Sequence, residues 1–476
     1  MPRTIRHYST QSFIAFPHFT EFSRRLCRAA GRVATLHRGL SPSAPHKNRC
    51  RQNVKPNHPP TSSAPNLAQK EKAMLSFNER ALKFGHSLEA LKAGDEIQTT
   101  RQVHSIEELR DLLHDGSSPE MRQARARQYE KDHPKLMDEA NGSMEALYLR
   151  AEAAVHADRP LSHDDALALK HVFPTTVRLL SALDKTISSE WTLGNESTPV
   201  SINVGTLTIN QGGYINAYAT SVTFVAQAVV NNASGGSSGA NYTIGIFGAP
   251  GAAGTAGTNQ PQAQSGQNGS SSGTPSPGVC TGAKDPTAGT AGSNGAAGTD
   301  GQRGADGTPN LTANFTFNAM SQNPIYLLTQ SGAGGQGGAG GSGGAGGTGG
   351  IGGDGCQSGC EGTQSANGGN GGAGGNGGNG GPGGNGVDGH PINVMLASGI
   401  ASSMLQNGGL VAPAGTGGAA GNGGTGGTGG AGGSGSGKHR SAGTAGTAGS
   451  PGANGTVGTT GTYTGNPGTI SITTTG

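Results

Sequence analysis

Glycine recurs at every third position through most of the C-terminal half, a period that neither an α-helix (3.6) nor a strand (2) has. From Ala333 to Gly353 the chain reads X-Gly-Gly without interruption, with Ala333, Gln336, Ala339, Ser342, Ala345, Thr348 and Ile351 at X. The triplet returns from Asn367 through Pro382, and over 415–437 apart from Ala420. Glycine also holds every third place in 245–257, 289–307 and 443–461. Three residues per turn belongs to the left-handed polyproline-II helix, whose backbone makes no internal hydrogen bonds. Two of its three faces would here be glycine, so that amides unpaired within one rod could reach carbonyls of the next.

Two other readings compete. Collagen also needs glycine at every third position but requires far more proline than Pro250, Pro382, Pro451 and Pro467 provide. A flexible Gly/Ser linker has no reason for strict triplets or matched lengths, yet 332–355, 367–389, 415–437 and 443–468 are nearly equal. At ~3.1 Å per residue such stretches would be rods of roughly 70 Å. Short inserts between equal rods predict hairpins at 243–308, 332–389 and 415–468, with tips at 258–286, 356–366 and 438–442. The expected fold class is a small helical N-terminal region plus short β-strands carrying a bundle of about six polyglycine-II rods.

The rest of the chain is a different material. Of 89 glycines, 82 lie beyond residue 200, whereas 28 of the 32 Lys+Arg and 23 of the 29 Asp+Glu lie before it. Residues 1–73 have 13 Lys+Arg against Glu21 and Glu71, and read as a disordered basic arm or a targeting segment, Met74 being an alternative start. Too few aromatics interleave its charges for a nucleic-acid partner to be expected. No run of about 18 apolar residues exists, so no membrane span is expected. No secretory signal is legible either, although an extracellular, cell-surface or virion setting would suit the glycine half.

Residues 74–190 read as a helical attachment or oligomerisation region. Ser105-Ile106-Glu107-Glu108 and Ser162-His163-Asp164-Asp165 match helix-capping patterns. Met144, Leu147, Ala151 and Val155 share one helical face, as do Val177, Leu180, Leu183 and Ile187. From 199 to 476 short strands are expected as a base: 202–209 around Gly205, the alternation Leu311, Ala313, Phe315, Phe317, Ala319, then Ile392, Val394, Leu396, and last Ile470 and Ile472, with Gln211-Gly212-Gly213 as a turn.

No catalytic set emerges, and no cofactor or metal is expected. His104, His114, His133, His156, His163 and His171 lack a specified convergent set of ligands. Gly432 to Lys438 mimics a phosphate loop, but His439 stands where Ser or Thr would bind magnesium. Gly349–Asp354 and Gly383–Asp388 mimic single calcium nonapeptides without the tandem repetition those need. Candidate binding residues are therefore those at the distal tips: Lys438, His439, Arg440, Gln357 and Glu361. Cys356 and Cys360 could pin a turn as a disulfide, Cys280 could pair with either, and free thiols are the alternative.

The Gly-Gly-X runs of 243–468, separated by variable inserts, resemble two families: the glycine-rich tip adhesins of phage long tail fibres and the springtail glycine-rich antifreeze protein. The first resemblance implies a non-enzymatic recognition protein whose distal loops bind a surface receptor or glycan. The second implies ice binding through a face such as Thr416, Thr425, Thr428 and Ala431. A structural filament, or a homo-oligomer held by the helical region, is a further expectation.

Overall fold

The computed structural model describes residues 76–194, 198–233, 242–272, 284–356, 363–435 and 441–474. Of these, 167–172 fall outside the compact unit that holds the rest. That unit opens with helices. Ser76 caps α1 (Phe77–Phe84) by accepting from the Glu79 amide, while the Glu79 carboxylate accepts from the Ser76 amide, and Gly85 at φ 80° ends the helix. Next come α2 (Leu88–Lys92), the strand β1 (Glu96–Val103), α3 (Ile106–Leu113), α4 (Pro119–Asp132), α5 (Pro134–Met137) and α6 (Met144–His156). Ser105 accepts from the Glu108 amide at the head of α3. The Glu108 carboxylate reaches past the cap to the His104 amide. Ser162 likewise accepts from the Asp165 amide.

Strands then succeed one another: β2 (Thr175–Ile187), β3 (Glu190–Gly194), β4 (Val200–Ile209), β5 (Tyr214–Tyr218), β6 (Val222–Asn231), β7 (Ile244–Phe247), β8 (Ala313–Phe317), β9 (Met320–Gln322), β10 (Ile325–Gln330), β11 (Ile392–Leu396), β12 (Leu405–Leu410) and β13 (Ile470–Thr474). One sheet has the order β1-β2-β4-β6-β8-β11-β13 with β9 beside β6, and the other β12-β10-β7-β5-β3. Every strand pairing except β1 with β2 is parallel. From β2 onward the chain alternates between sheets, except that β8 and β9 follow one another along β6 in the larger sheet, so it winds as a coil that adds a strand to each sheet per turn. Gly205, in the middle of β4, is required by close approach: a Cβ there would lie 2.4 Å from the Leu183 carbonyl oxygen. Gly212, at φ 89°, turns β4 toward β5.

The main core lies between the sheets. Ile202, Val204, Phe224, Phe315, Phe317 and Val394 from the larger sheet meet Ile215, Ile244, Ile246 and Leu327 from the smaller. The helices cover the other face of the larger sheet. There Phe84, Leu112, Leu113 and Val155 pack on Val103, Val177 and Leu179, beside a buried polar row that includes Ser181, Asn203, Thr223, Asn314 and Thr316.

Three long excursions leave the coil, between β7 and β8, β10 and β11, and β12 and β13. Among the described residues their glycine-rich segments contain no helix or strand. Backbone amides bond them sideways at every third residue. Gly251, Gly254 and Gly257 donate to Ala333, Gln336 and Ala339; Gly334, Gly337 and Gly340 donate to Pro413, Thr416 and Ala419; Gly335, Gly338 and Gly341 donate to Ala305, Gln302 and Thr299. The excursions thus stack in the same order as the strands from which they issue.

These findings correct the expected fold class. The protein is a mixed α/β fold with thirteen strands among the described residues, in two mainly parallel sheets. It is not a helical region with short strands carrying polyglycine-II rods, and neither the collagen-like description nor the glycine-repeat families describe it. Each strand looks isolated in sequence because its partner lies a whole excursion away, as with Ile392 beside Ala313 and Ile470. The 74–190 region is mixed too: Val177, Leu180, Leu183 and Ile187, expected on a helix, lie in β2. That strand is covered on both faces, and a strand buried on both sides loses the alternation that would identify it. On α6, Leu147 and Val155 are spent inside the chain, while Met144 is exposed.

Candidate functional site

The tip residues named from sequence, Lys438, His439, Arg440, Gln357 and Glu361, lie outside the described residues, as do Cys280 and Cys360. Cys356 is described, and it is disulfide-bonded. Chain entering and leaving these loops is tied together. The Ser272 amide donates to the Asp354 carbonyl at 2.9 Å, and the Ser434 amide to the Asp354 carboxylate at 2.6 Å. The Ser272 and Thr363 hydroxyls are 2.8 Å apart. The segments 273–283, 357–362 and 436–440, which lie outside the described residues, are therefore all entered from one bonded cluster, which also holds Thr363 at the exit of the second. Asp354 and Asp388, each from a calcium-like hexapeptide, lie apart: Asp388 accepts from the Tyr463 hydroxyl at 2.6 Å and the Asn466 amide at 2.7 Å near the opposite end.

A second cluster, missed from sequence, sits where the excursions leave the sheets. Tyr129 of α4 donates to Thr312 Oγ1 at 2.5 Å, the Thr312 hydroxyl donates to Glu152 Oε2 at 2.7 Å, and His390 Nδ1 donates to the same oxygen at 2.7 Å. Burial by itself would raise the Glu152 pKa, but His390 and the hydroxyl bond outweigh it and hold the carboxyl below its usual range. His133 lies edge-on to His390 with ring centroids 6.0 Å apart. Burial and then the neighbouring His390 charge lower the His133 pKa. Both rings line a cleft of about 230 Å³ with Glu145, Asp306, Asp388 and Tyr463. The legible signal was slight: His133 belonged to a scattered set of histidines, and His390 stands alone before β11.

A neighbouring arrangement mimics a nucleophile triad and is structural. His156 Nε2 lies 3.3 Å from Ser221 Oγ and its Nδ1 lies 2.9 Å from Asn314 Nδ2. Asn393 donates to Asn314 Oδ1, which leaves the Asn314 amide nitrogen as donor to Nδ1 and the proton of the neutral ring on Nε2. That ring donates to Ser221 and cannot take its proton, and the Ser221 hydroxyl in turn donates a hydrogen bond to the Thr312 carbonyl. All three residues are buried. Asp115 and Arg125 beside them form an ion pair at 2.7 Å. Burial opposes the Asp115 charge, but Arg125 and Ser117 together hold the carboxyl well below its usual range.

Among the described residues no group of three or more His, Cys, Asp or Glu side chains is arranged to hold a metal ion. No described helix is long and apolar enough to cross a membrane. No family model, no curated protein and no solved structure matches the chain.

Proposed function

We propose that the protein is a non-enzymatic recognition scaffold, in which the coil and its excursions hold three loops for binding a surface receptor or glycan. The observation that carries this reading is the cluster of Ser272, Asp354, Thr363 and Ser434, which gathers the chain entering all three segments and the chain leaving the second, while Thr287 bonds back to Ser270 and Gly443 to Gly433 at the other two exits. A loop whose ends are held loses less entropy when it binds. Lys438, His439 and Arg440 in one loop, with Gln357 and Glu361 in another, supply the charged and amide groups for contact. The helical layer is the proposed attachment or self-association region.

The test is to replace 273–283, 357–362 and 436–440 with short Gly/Ser turns and apply both proteins to an array of immobilised glycans. The full chain is expected to be retained on a subset of glycans and the loop-replaced chain on none, with unchanged circular dichroism. Equal retention of both would refute loop-borne recognition.

A further inference from the structure

The coil ends differently from how it begins. At its start β1 runs antiparallel to β2 in the larger sheet, and Glu96 pairs with Lys185 across them. Lys185 also covers the Trp191 ring, 4.9 Å from its centroid, where β3 borders the smaller sheet. β3 carries Glu190 and has an irregular register between Thr192 and Gly194. Charge and irregularity are what blunt a sheet edge. At the far end β13 and β12 are each paired on one side only, and neither contains a charged residue or a proline. Alternate residues of a parallel strand turn their backbone groups to the same neighbour. Because the Ile392 amide donates to the Thr469 carbonyl, Thr469, Ser471 and Thr473 bond toward β11, while the amides and carbonyls of Ile470 and Ile472 point away from it. The core is open there as well. Ile472 lies beside Val394, on the side that faces between the sheets, yet Val394 is 1% exposed and Ile472 37%.

The last glycine-rich segment limits what can sit on this end. Gly368, Gly371, Gly374, Gly377 and Gly380 donate to the carbonyls of Thr444, Thr447, Ser450, Ala453 and Thr456. In the segment that accepts these bonds, the residues that would pass the pattern on are Ala445, Ala448, Pro451, Asn454 and Val457, all exposed. Proline has no amide proton to donate. A further copy stacked in the same direction would therefore meet side chains where the segment beneath has glycine.

We infer that the end of the coil binds a second copy of this chain about a two-fold axis perpendicular to both sheets, with β13 antiparallel to β13 of the other copy and β12 antiparallel to its β12. That one operation continues each sheet into its own counterpart and closes the open core with the Ile472 side chains of the two copies. It reverses the strand direction, so the two sets of excursions leave in opposite directions and the row from Ala445 to Val457 is never asked to stack. A single strand from another protein would fill one edge and leave the other bare. A contact of this kind is self-complementary and stops at two copies. It goes beyond the reading of the loops, and of the two roles proposed for the helical layer it leaves attachment.

The experiment is sedimentation equilibrium of the full chain over a range of micromolar concentrations, with amide hydrogen exchange on the same samples. Particles of two chains are expected, and the Ile470 and Ile472 amides should be protected in them and not in the dissociated chain. Ile472→Lys sets like charges against each other across the axis and is expected to weaken association by about tenfold or more. Asn407→Lys, an exposed change on β12, does the same at the other edge and serves if the first variant fails to fold, as judged by circular dichroism. Single chains throughout would overturn the proposal. So would single chains whose Ile470 and Ile472 amides are already protected, which would give the edge to another segment of the same chain. Masses that climb past two chains with concentration would mean head-to-tail addition and refute the two-fold axis. Unchanged association in folded Ile472→Lys and Asn407→Lys proteins would refute it too, by moving the contact elsewhere. None of these results depends on retention by glycans, so the loops and the coil end can fail separately.

Discussion

The inter-sheet core and the glycine-rich excursions solve the same problem by opposite means. Between the sheets, large side chains such as Phe224, Phe315 and Phe317 exclude water, and burial of apolar area supplies the stability. In the excursions the side chain is what must be missing. A Cβ at Gly378 would lie 2.1 Å from the Thr299 carbonyl oxygen, and one at Gly341 2.1 Å from that of Thr258. What holds these segments is amide-to-carbonyl bonding at a net ~0.5–1.5 kcal/mol per bond. Fixing a residue's backbone costs roughly 1–2 kcal/mol, so one or two bonds per triplet do not carry the ordering alone. Both ends of every excursion are anchored in the coil. The comparison therefore predicts a hierarchy: the sheets order the excursions, and the reverse dependence is weak.

The largest expected effect strikes the sheets. Phe224 is fully buried and meets Phe315, Phe317 and Trp191 at centroid separations of 5.9, 6.3 and 6.0 Å. Phe224→Ala should cost about 3–5 kcal/mol, read in urea by the fluorescence of Trp191, the one tryptophan of the chain. Amide exchange in 332–355 should rise with it; protection there that survived unfolding of the sheets would break the hierarchy. Next comes pH. Burial, with Arg125 adding and Glu152 opposing, lowers the His156 pKa to about 4, against ~6.5 for the unfolded chain. The unfolded state takes up the proton first, so this contribution is complete above pH 6.5 and is lost as pH falls from there toward 4. Its full size is about 3 kcal/mol. His156→Gln should flatten that slope in urea titrations at successive pH values.

Legibility in the sequence divides along the same line. The alternation of 313–317 marked β8 because its apolar residues face the core, although Asn314 and Thr316 are equally buried beneath the helices. The helix caps at Ser105 and Ser162 were legible because a cap is settled within four residues. Strand pairing was not, since Ile325 of β10 meets Leu405 of β12 across a whole excursion. With the pairing hidden, the glycine period is the strongest pattern in the sequence, and the short strands between its runs look like no more than a minor base. The His390, Glu152 and Thr312 chain was illegible for the same reason: its members come from a helix and from the approaches to two strands that only the coil brings together.

The smallest effects test the excursions from within, by a pair of substitutions of similar chemical size. Gly378→Ala adds one methyl where the nearest atoms are the Thr299 backbone, which cannot swing aside as a side chain would. Overpacking of this kind costs about 1–3 kcal/mol. It should appear as faster exchange of the Gly378 and Thr299 amides, which donate to Gly341 and Thr258, with Trp191 fluorescence unmoved. Thr425→Ala removes a similar bulk from an exposed side chain at a residue whose carbonyl alone receives an amide, that of Gly346. Its effect should stay within about 0.5 kcal/mol. The contrast isolates position from composition, since both variants end with alanine in a glycine-rich triplet. If the two exchange profiles coincide, contact between backbones is not what orders these segments, and their protection comes from the anchored ends alone.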